Sequence, residues 1–204
     1  MAEGDVERAI EALRAGRPVL LPTDTVYGLC VSPYRAAPVE RLYRVKGRDL
    51  GRPTALLATS HELLFECVPE LRGHAGVIAR AVLPGPYTLV LPNPARRFRW
   101  LTGTRPDTIG VRIPELPETT RRVVAAVGAV AATSANGAGG RDPAAVDEVP
   151  EEILIACGAV LREGRLPGTP STVIDFTGRK PVVLREGPAP ADEAIARADA
   201  ALGR

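Results

Sequence analysis

Polar clusters hold the residues that could do chemistry in this chain: TDTVYG at 23–28, KGRDLGR at 46–52, TSANGAGG at 133–140 and GTPST at 168–172. Hydroxyls, an amide and glycines beside accessible backbone N–H groups are suited to holding a nucleotide or an amino acid. Lys46, Arg48 and Arg52, closely spaced, can neutralise phosphates or fork onto a carboxylate. Arg112 and Arg185, each on a strand face or at a strand end, can join the same pocket. Taken one at a time, the clusters also fit ordinary roles: TSANG a turn or helix start, PST an edge turn, Arg112 a solvated strand residue and Asp24 a turn cap.

Other chemistries lack their signatures. There is no GxxxxGK[ST], no GxGxxG after a strand and no nucleophile elbow, so P-loop, Rossmann and hydrolase readings have no support. Carboxylates do not cluster into a metal cage, and no protein-bound metal is expected. Cys30, Cys67 and Cys157 lie far apart with only His61 and His74 to supplement them; they read as reduced core residues rather than as a zinc site or a nucleophile pair.

These clusters need elements to hold them. Val6, Ile10 and Leu13 recur at helical spacing and Gly16 follows, which predicts a helix over 4–15. PVLLP reads as a short buried strand. Helical patterns return at 38–46, with Gly47 as the stop, and at 74–82. Between them TALLA reads as a strand, and Thr59 with Glu62 has capping-box spacing before LLFEC. LPGPYTLVLP is a turn leading into a strand. TIGVRIP alternates Ile109, Val111 and Ile113 with small or charged residues, so Arg112 faces away from the aliphatics. Helices at 117–127 and 143–156, strands AVAAT, GAVLREG, STVIDF and PVVLREG, and an Ala-rich helix at 190–202 complete the pattern. The uneven alternation predicts an α/β (α+β) domain with a mixed sheet. Its ligand is expected in loops at the carboxyl ends of the strands.

With 204 residues, 45% of them hydrophobic, the chain can bury one core, and 1–204 reads as a single domain. A net charge of +2 argues against a disordered tail and against a general polybasic coat for nucleic acid. The segment Met1–Arg17 lacks a signal-peptide pattern, and the longest apolar run, Val123–Ala132, is too short to span a membrane. A cytoplasmic protein without a membrane partner is expected.

Taken together and in order, LPTDTVYGL, KGR, LPGPYTLVL, TIGVRIP, TSAN and PSTVIDF…VVLREG, from about residue 5 to 188, resemble the YrdC-like (TsaC) family of threonylcarbamoyl-AMP synthases. The resemblance implies a twisted, mixed open sheet with flanking helices around a concave, basic cavity. It implies synthesis of threonylcarbamoyl-AMP from L-threonine, bicarbonate and ATP with release of pyrophosphate. Mg²⁺ would accompany the ATP, and the product would pass to a partner complex that modifies tRNA. By motif, Lys46 and Arg48 would be catalytic. Thr25 and Arg112 would hold threonine, with Ser171 or Thr172 adding a hydroxyl. Arg48, Arg52, Thr108, Thr133, Ser134, Asn136 and Arg185 would bind the nucleotide. Tyr27 fits either a cavity wall or the core. The length resembles the family's short form.

The family pattern usually reads KxRP, then a polar residue and PL, and often a His beyond. Here Asp49 follows Arg48, Thr54 follows Pro53, and Leu57 stands where the His would fall. These departures lie at the carbamate and threonine end and leave the substrate open. A related carbamoyl-adenylate-forming enzyme, like the carbamoyltransferases of hydrogenase maturation, is one alternative. The other is a non-catalytic RNA-binding module, for which ARRFRW at 95–100 supplies arginines and two aromatics; that segment also fits a solvated loop.

Overall fold

The structure, a computed structural model, describes residues 3–204; the first two residues of the expected domain lie outside the described residues. TDTVYG forms the turn of a hairpin. Strand β1 (Val19–Pro22) runs into Thr23, and β2 (Tyr27–Val31) returns antiparallel with Pro22 opposite Tyr27. The Thr23 hydroxyl holds the turn, donating to Val26 O at 2.7 Å and accepting the N–H groups of Thr25 and Val26 at 3.3 Å each. No strand was expected at 27–31. All five residues of β2 are buried, so it lacks the in–out alternation that marks a half-exposed strand.

Helix α1 is Glu3–Arg14, and α2 is Ala36–Lys46. Gly47 caps α2 with φ 61, the left-handed conformation that glycine adopts without a Cβ clash, and so leaves Lys46 on the final turn. After β3 (Ala55–Leu57), α3 (His61–Cys67) is capped by Ser60, whose Oγ accepts Leu63 N–H at 3.2 Å, and not by a Thr59 box. Helix α4 (His74–Val82), β4 (Tyr87–Pro92), β5 (Thr108–Arg112), α5 (Glu118–Val127) and β6 (Val130–Ser134) follow the expected pattern. The helix expected over 143–156 is instead a 3₁₀ turn at Val146–Glu148 and a short α6 (Glu151–Ala156). Pro150, without an N–H to donate, separates them. GAVLREG supplies only β7 (Ala159–Val160), and β8 (Thr172–Asp175), β9 (Val182–Arg185) and α7 (Ala191–Ala201) close the described chain.

Among the described residues, nine strands form one twisted open sheet in the order β7-β1-β2-β6-β3-β5-β4-β8-β9. Pairs β1/β7, β3/β5 and β4/β8 are parallel and the others antiparallel, a mixed sheet as expected. Its two faces differ in cover. Leu20, Leu29, Leu56, Leu89, Ile109, Val111 and Ile174 point to one face and pack with residues of α2, α3, α4 and α7. On the other face, Val19, Leu21, Cys30, Leu57 and Val130 pack under α1 and α5. The cavity of the next section opens on this second face, beyond those helices. Antiparallel neighbours send their carboxyl ends in opposite directions, so no single edge gathers them. The cavity therefore lies on the face of the strands and draws on both kinds of end. Thr23 and Thr25 follow β1 and Ser134 and Arg185 end β6 and β9, as expected of carboxyl ends, whereas Thr54 and Ser171 precede β3 and β8. Among the described residues, no helix is long and apolar enough to cross a membrane.

Candidate active site

The first chamber, about 290 Å³, sits on the uncovered strand face. Its floor is made of small residues: Gly28 from β2, Ala132 from β6, Ala55 from β3 and Gly110 from β5. A methyl added to Gly28 would meet nothing nearer than Cys30 Sγ and Thr23 Cγ2, both at 3.5 Å; on Gly110 the nearest atom would be Ala55 Cα at 3.7 Å. These are ordinary contacts. The protein's own packing does not demand glycine at either place, yet glycine weakens a strand interior. The missing side chains leave room for something outside the chain. Hydroxyls of Thr23, Thr25, Thr54, Thr88, Thr102, Thr104, Thr108, Thr133, Ser134 and Ser171 surround this floor.

At one end stands Arg112, the last residue of β5, 9% exposed. Alternation along β5 turns Ile109 and Val111 into the core and Thr108, Gly110 and Arg112 toward the cavity, as the sequence pattern requires. Arg112 Nη2 donates to Asp24 Oδ1 at 2.9 Å and to Thr25 Oγ1 at 3.4 Å. On the hairpin turn the Asp24 side chain is only 9% exposed, and desolvation raises its pKa above the ordinary carboxylate value, against the pull of Arg112 and the Thr25 hydroxyl. Breaking such a buried pair by removing one partner costs about 3–5 kcal/mol. Across the floor, Ser171 Oγ lies 2.8 Å from Thr88 Oγ1, and Arg185 of β9 donates to Ser171 O through Nε at 2.9 Å and Nη2 at 2.7 Å.

A second chamber, about 580 Å³, adjoins the first and shares Arg48, Ser134 and Arg185 with it. Lys46, Arg52, Asn136, Asp49 and Asp142 also line it. Lys46 Nζ donates to Ser134 O, to Asn136 Oδ1 and to Ser134 Oγ, the last at 3.3 Å. The end of α2 and the TSAN turn after β6 are thereby joined. Burial, with Arg48 nearby and Asp142 opposing, pushes the Lys46 pKa down to about 8. Arg48 donates to Thr133 Oγ1 at 3.3 Å and Pro53 O at 2.7 Å, and its buried Nε has no partner.

The fold brings Thr25, Arg48, Thr108, Arg112, Thr133, Ser134, Ser171 and Arg185 to the first chamber, and Lys46, Arg52 and Asn136 to the second. Thr172 is not brought there. It is fully buried, donates to Ala189 O and accepts Gly187 N–H at 2.9 Å, because adjacent strand residues face opposite ways. Tyr27 is a core residue that donates to Gly164 O at 2.9 Å. Leu57 is buried beneath α1 and α5, whereas Thr54 lines the first chamber. Sequence reasoning took Gly28 only as part of the TDTVYG cluster and missed Gly110, Thr88, Thr102, Thr104 and Arg105. A glycine central in TIGVR was the available signal, since it marks close approach of a ligand or backbone. In ARRFRW the aromatics are half-buried and engaged with the protein: Trp100 Nε1 donates to Pro33 O at 2.7 Å, and the Phe98 ring packs between Tyr34 and Trp100.

Fold and site define an α/β protein with a cavity on the open face of a mixed sheet, lined by hydroxyl-bearing and cationic residues. The chain belongs to the Sua5/YciO/YrdC family, whose model, described as telomere recombination, matches residues 11–187. It is 33% identical over 198 residues to the threonylcarbamoyl-AMP synthase of Pyrococcus abyssi, covering 94% of this chain and 56% of that one. It resembles the crystal structure of P. abyssi Sua5 complexed with L-threonine at a TM-score of 0.86 and 32% identity, over 100% of this chain and 58% of that one. The crystal structure of E. coli YciO aligns at a TM-score of 0.78 and 27% identity, over 92% and 91% of the two chains. The chain thus spans little more than half the length of the Pyrococcus protein.

Proposed function

We propose that this chain, acting as one domain, makes threonylcarbamoyl-AMP from L-threonine, bicarbonate and ATP and releases pyrophosphate. The observation that carries the reading is the shared neck: Arg48, Ser134 and Arg185 line both chambers. A reaction that joins a ligand of the first chamber to the α-phosphate of a ligand in the second would happen between them. The name and bound threonine of the Pyrococcus relative support the choice of substrates.

Threonine and bicarbonate form N-carboxy-threonine with loss of water, and a carbamate oxygen attacks the α-phosphorus. The new bond is carbamate oxygen to phosphorus. The bond to the oxygen bridging the α- and β-phosphates breaks, and pyrophosphate leaves with the electron pair. Such displacement needs positioning and charge stabilisation more than covalent help. Lys46, Arg48, Arg52 and Arg185 supply the cations that meet the leaving charge. Ser134 and Asn136 hold the nucleotide from the second chamber, Thr108 and Thr133 reach it from the first, and Thr25, Arg112 and Ser171 hold threonine in the first. Mg²⁺ enters as part of the substrate Mg-ATP; among the described residues, no group of three or more His, Cys, Asp or Glu could hold a metal ion. The product passes to a tRNA-modifying complex in the cytoplasm.

The test is incubation of purified protein with Mg-ATP, bicarbonate and L-threonine. Pyrophosphate should appear together with a threonylcarbamoyl adenylate detected by mass spectrometry, and neither should form without threonine. Release that requires carbamoyl phosphate instead would move the chain to the alternative carbamoyl-adenylate chemistry, and no release with either would defeat both readings.

A further inference from the structure

We infer that Asp24 sets the ligand class at the Arg112 end of the cavity, admitting the carboxylate of a zwitterionic amino acid and turning phosphate away. The inference rests on the proposed assignment of Arg112 to threonine. Asp24 lines neither chamber and stands behind Arg112 as a positioning residue. Its side chain is 9% exposed, Oδ1 accepts from Arg112 Nη2 at 2.9 Å and from Thr25 Oγ1 at 3.3 Å, and Oδ2 is buried without a partner. The Thr23 hydroxyl fixes the turn on which it sits.

Arg112 therefore has its charge balanced but not all its donors engaged: among the described residues its side chain donates only through Nη2, and Arg112 lines the first chamber. That combination offers hydrogen bonds without net positive charge. Threonine is neutral overall and meets a neutral pair, so its carboxylate can take the free donors. Inorganic phosphate carries between one and two negative charges near neutral pH, which the Asp24 carboxylate opposes across a poorly solvated gap. Lys46, Arg48, Arg52 and Arg185 form no ion pair among the described residues. Asp24 ends this run of positive charge at Arg112, which leaves a triphosphate one direction in which to lie.

Calorimetric titration with inorganic phosphate, with and without saturating L-threonine, tests this on the wild type and Asp24→Asn. In the wild type, threonine should leave phosphate binding unchanged. Asp24→Asn should gain a phosphate site that threonine displaces, about tenfold tighter there than in the wild type, and Asp24→Glu should abolish the gain. Competition between phosphate and threonine in the wild type overturns the inference even if Asp24→Asn does not fold. Absence of a gained site in folded Asp24→Asn also overturns it. A wild type that binds no threonine overturns the substrate assignment instead; the inference then stands or falls on whether the gained site disappears in Asp24→Asn/Arg112→Ala.

Discussion

At the β5 end of the cavity, Arg112 rests on Asp24 in a buried pair; at the α2 end, Lys46 and Arg48 lean on backbone carbonyls, hydroxyls and an amide oxygen. One end is a fixed neutral unit. The other holds cations that repel one another, with Asp49 and Asp142 nearby but outside ion-pair distance of them. Burial first, and then the neighbouring charge of Arg48, push the Lys46 pKa down to about 8. Uncompensated cations of this kind suit a ligand that brings its own negative charge. The same open face of one sheet thus presents two ends with different electrostatic tasks.

The comparison breaks most sharply at Arg48. Arg48→Ala should lower pyrophosphate release by about 10²–10³-fold, the usual effect of removing a donor aimed at developing charge. The unfolding temperature should change little, since among the described residues its side chain donates only to Thr133 and Pro53. A loss of only a few fold in steady-state release would take the leaving charge away from this end. Next comes the floor. Gly110→Ala should weaken ligand binding about tenfold in calorimetry without lowering the melting temperature, because the added methyl meets ordinary protein contacts. Unchanged affinity would mean that the ligand does not reach the floor. The smallest effect concerns Lys46. Its charged form strengthens ATP binding, and that charge is lost as pH rises through about 8 in the free protein. ATP affinity should therefore fall several-fold between about pH 7 and about pH 9, while threonine affinity stays level. A parallel fall in both would erase the distinction between the ends.

Much of this was legible in the residues. Alternation in TIGVRIP is enough to turn Arg112 away from the core, and Gly47 marks where α2 must stop beside Lys46. The clusters 46–52 and 133–136 meet as expected of polar segments that share a site. What stayed hidden depends on contacts between distant segments or on strand parity. Asp24 and Arg112 are 88 positions apart, so Asp24 read as a turn cap and not as a counter-ion. Ser171 and Thr172 are neighbours of the same chemistry, and only the register of β8 with β4 decides which one faces the cavity. Strand β2 is buried on both faces and carried no alternation to find it by.

The division of labour between the two ends is tested most directly by titrating L-threonine and ATP separately into Arg112→Ala and Arg48→Ala. The account predicts opposite losses: Arg112→Ala binds ATP but loses threonine, and Arg48→Ala binds threonine but loses ATP. Equal loss of both ligands in both variants, with the fold intact by circular dichroism, would contradict it.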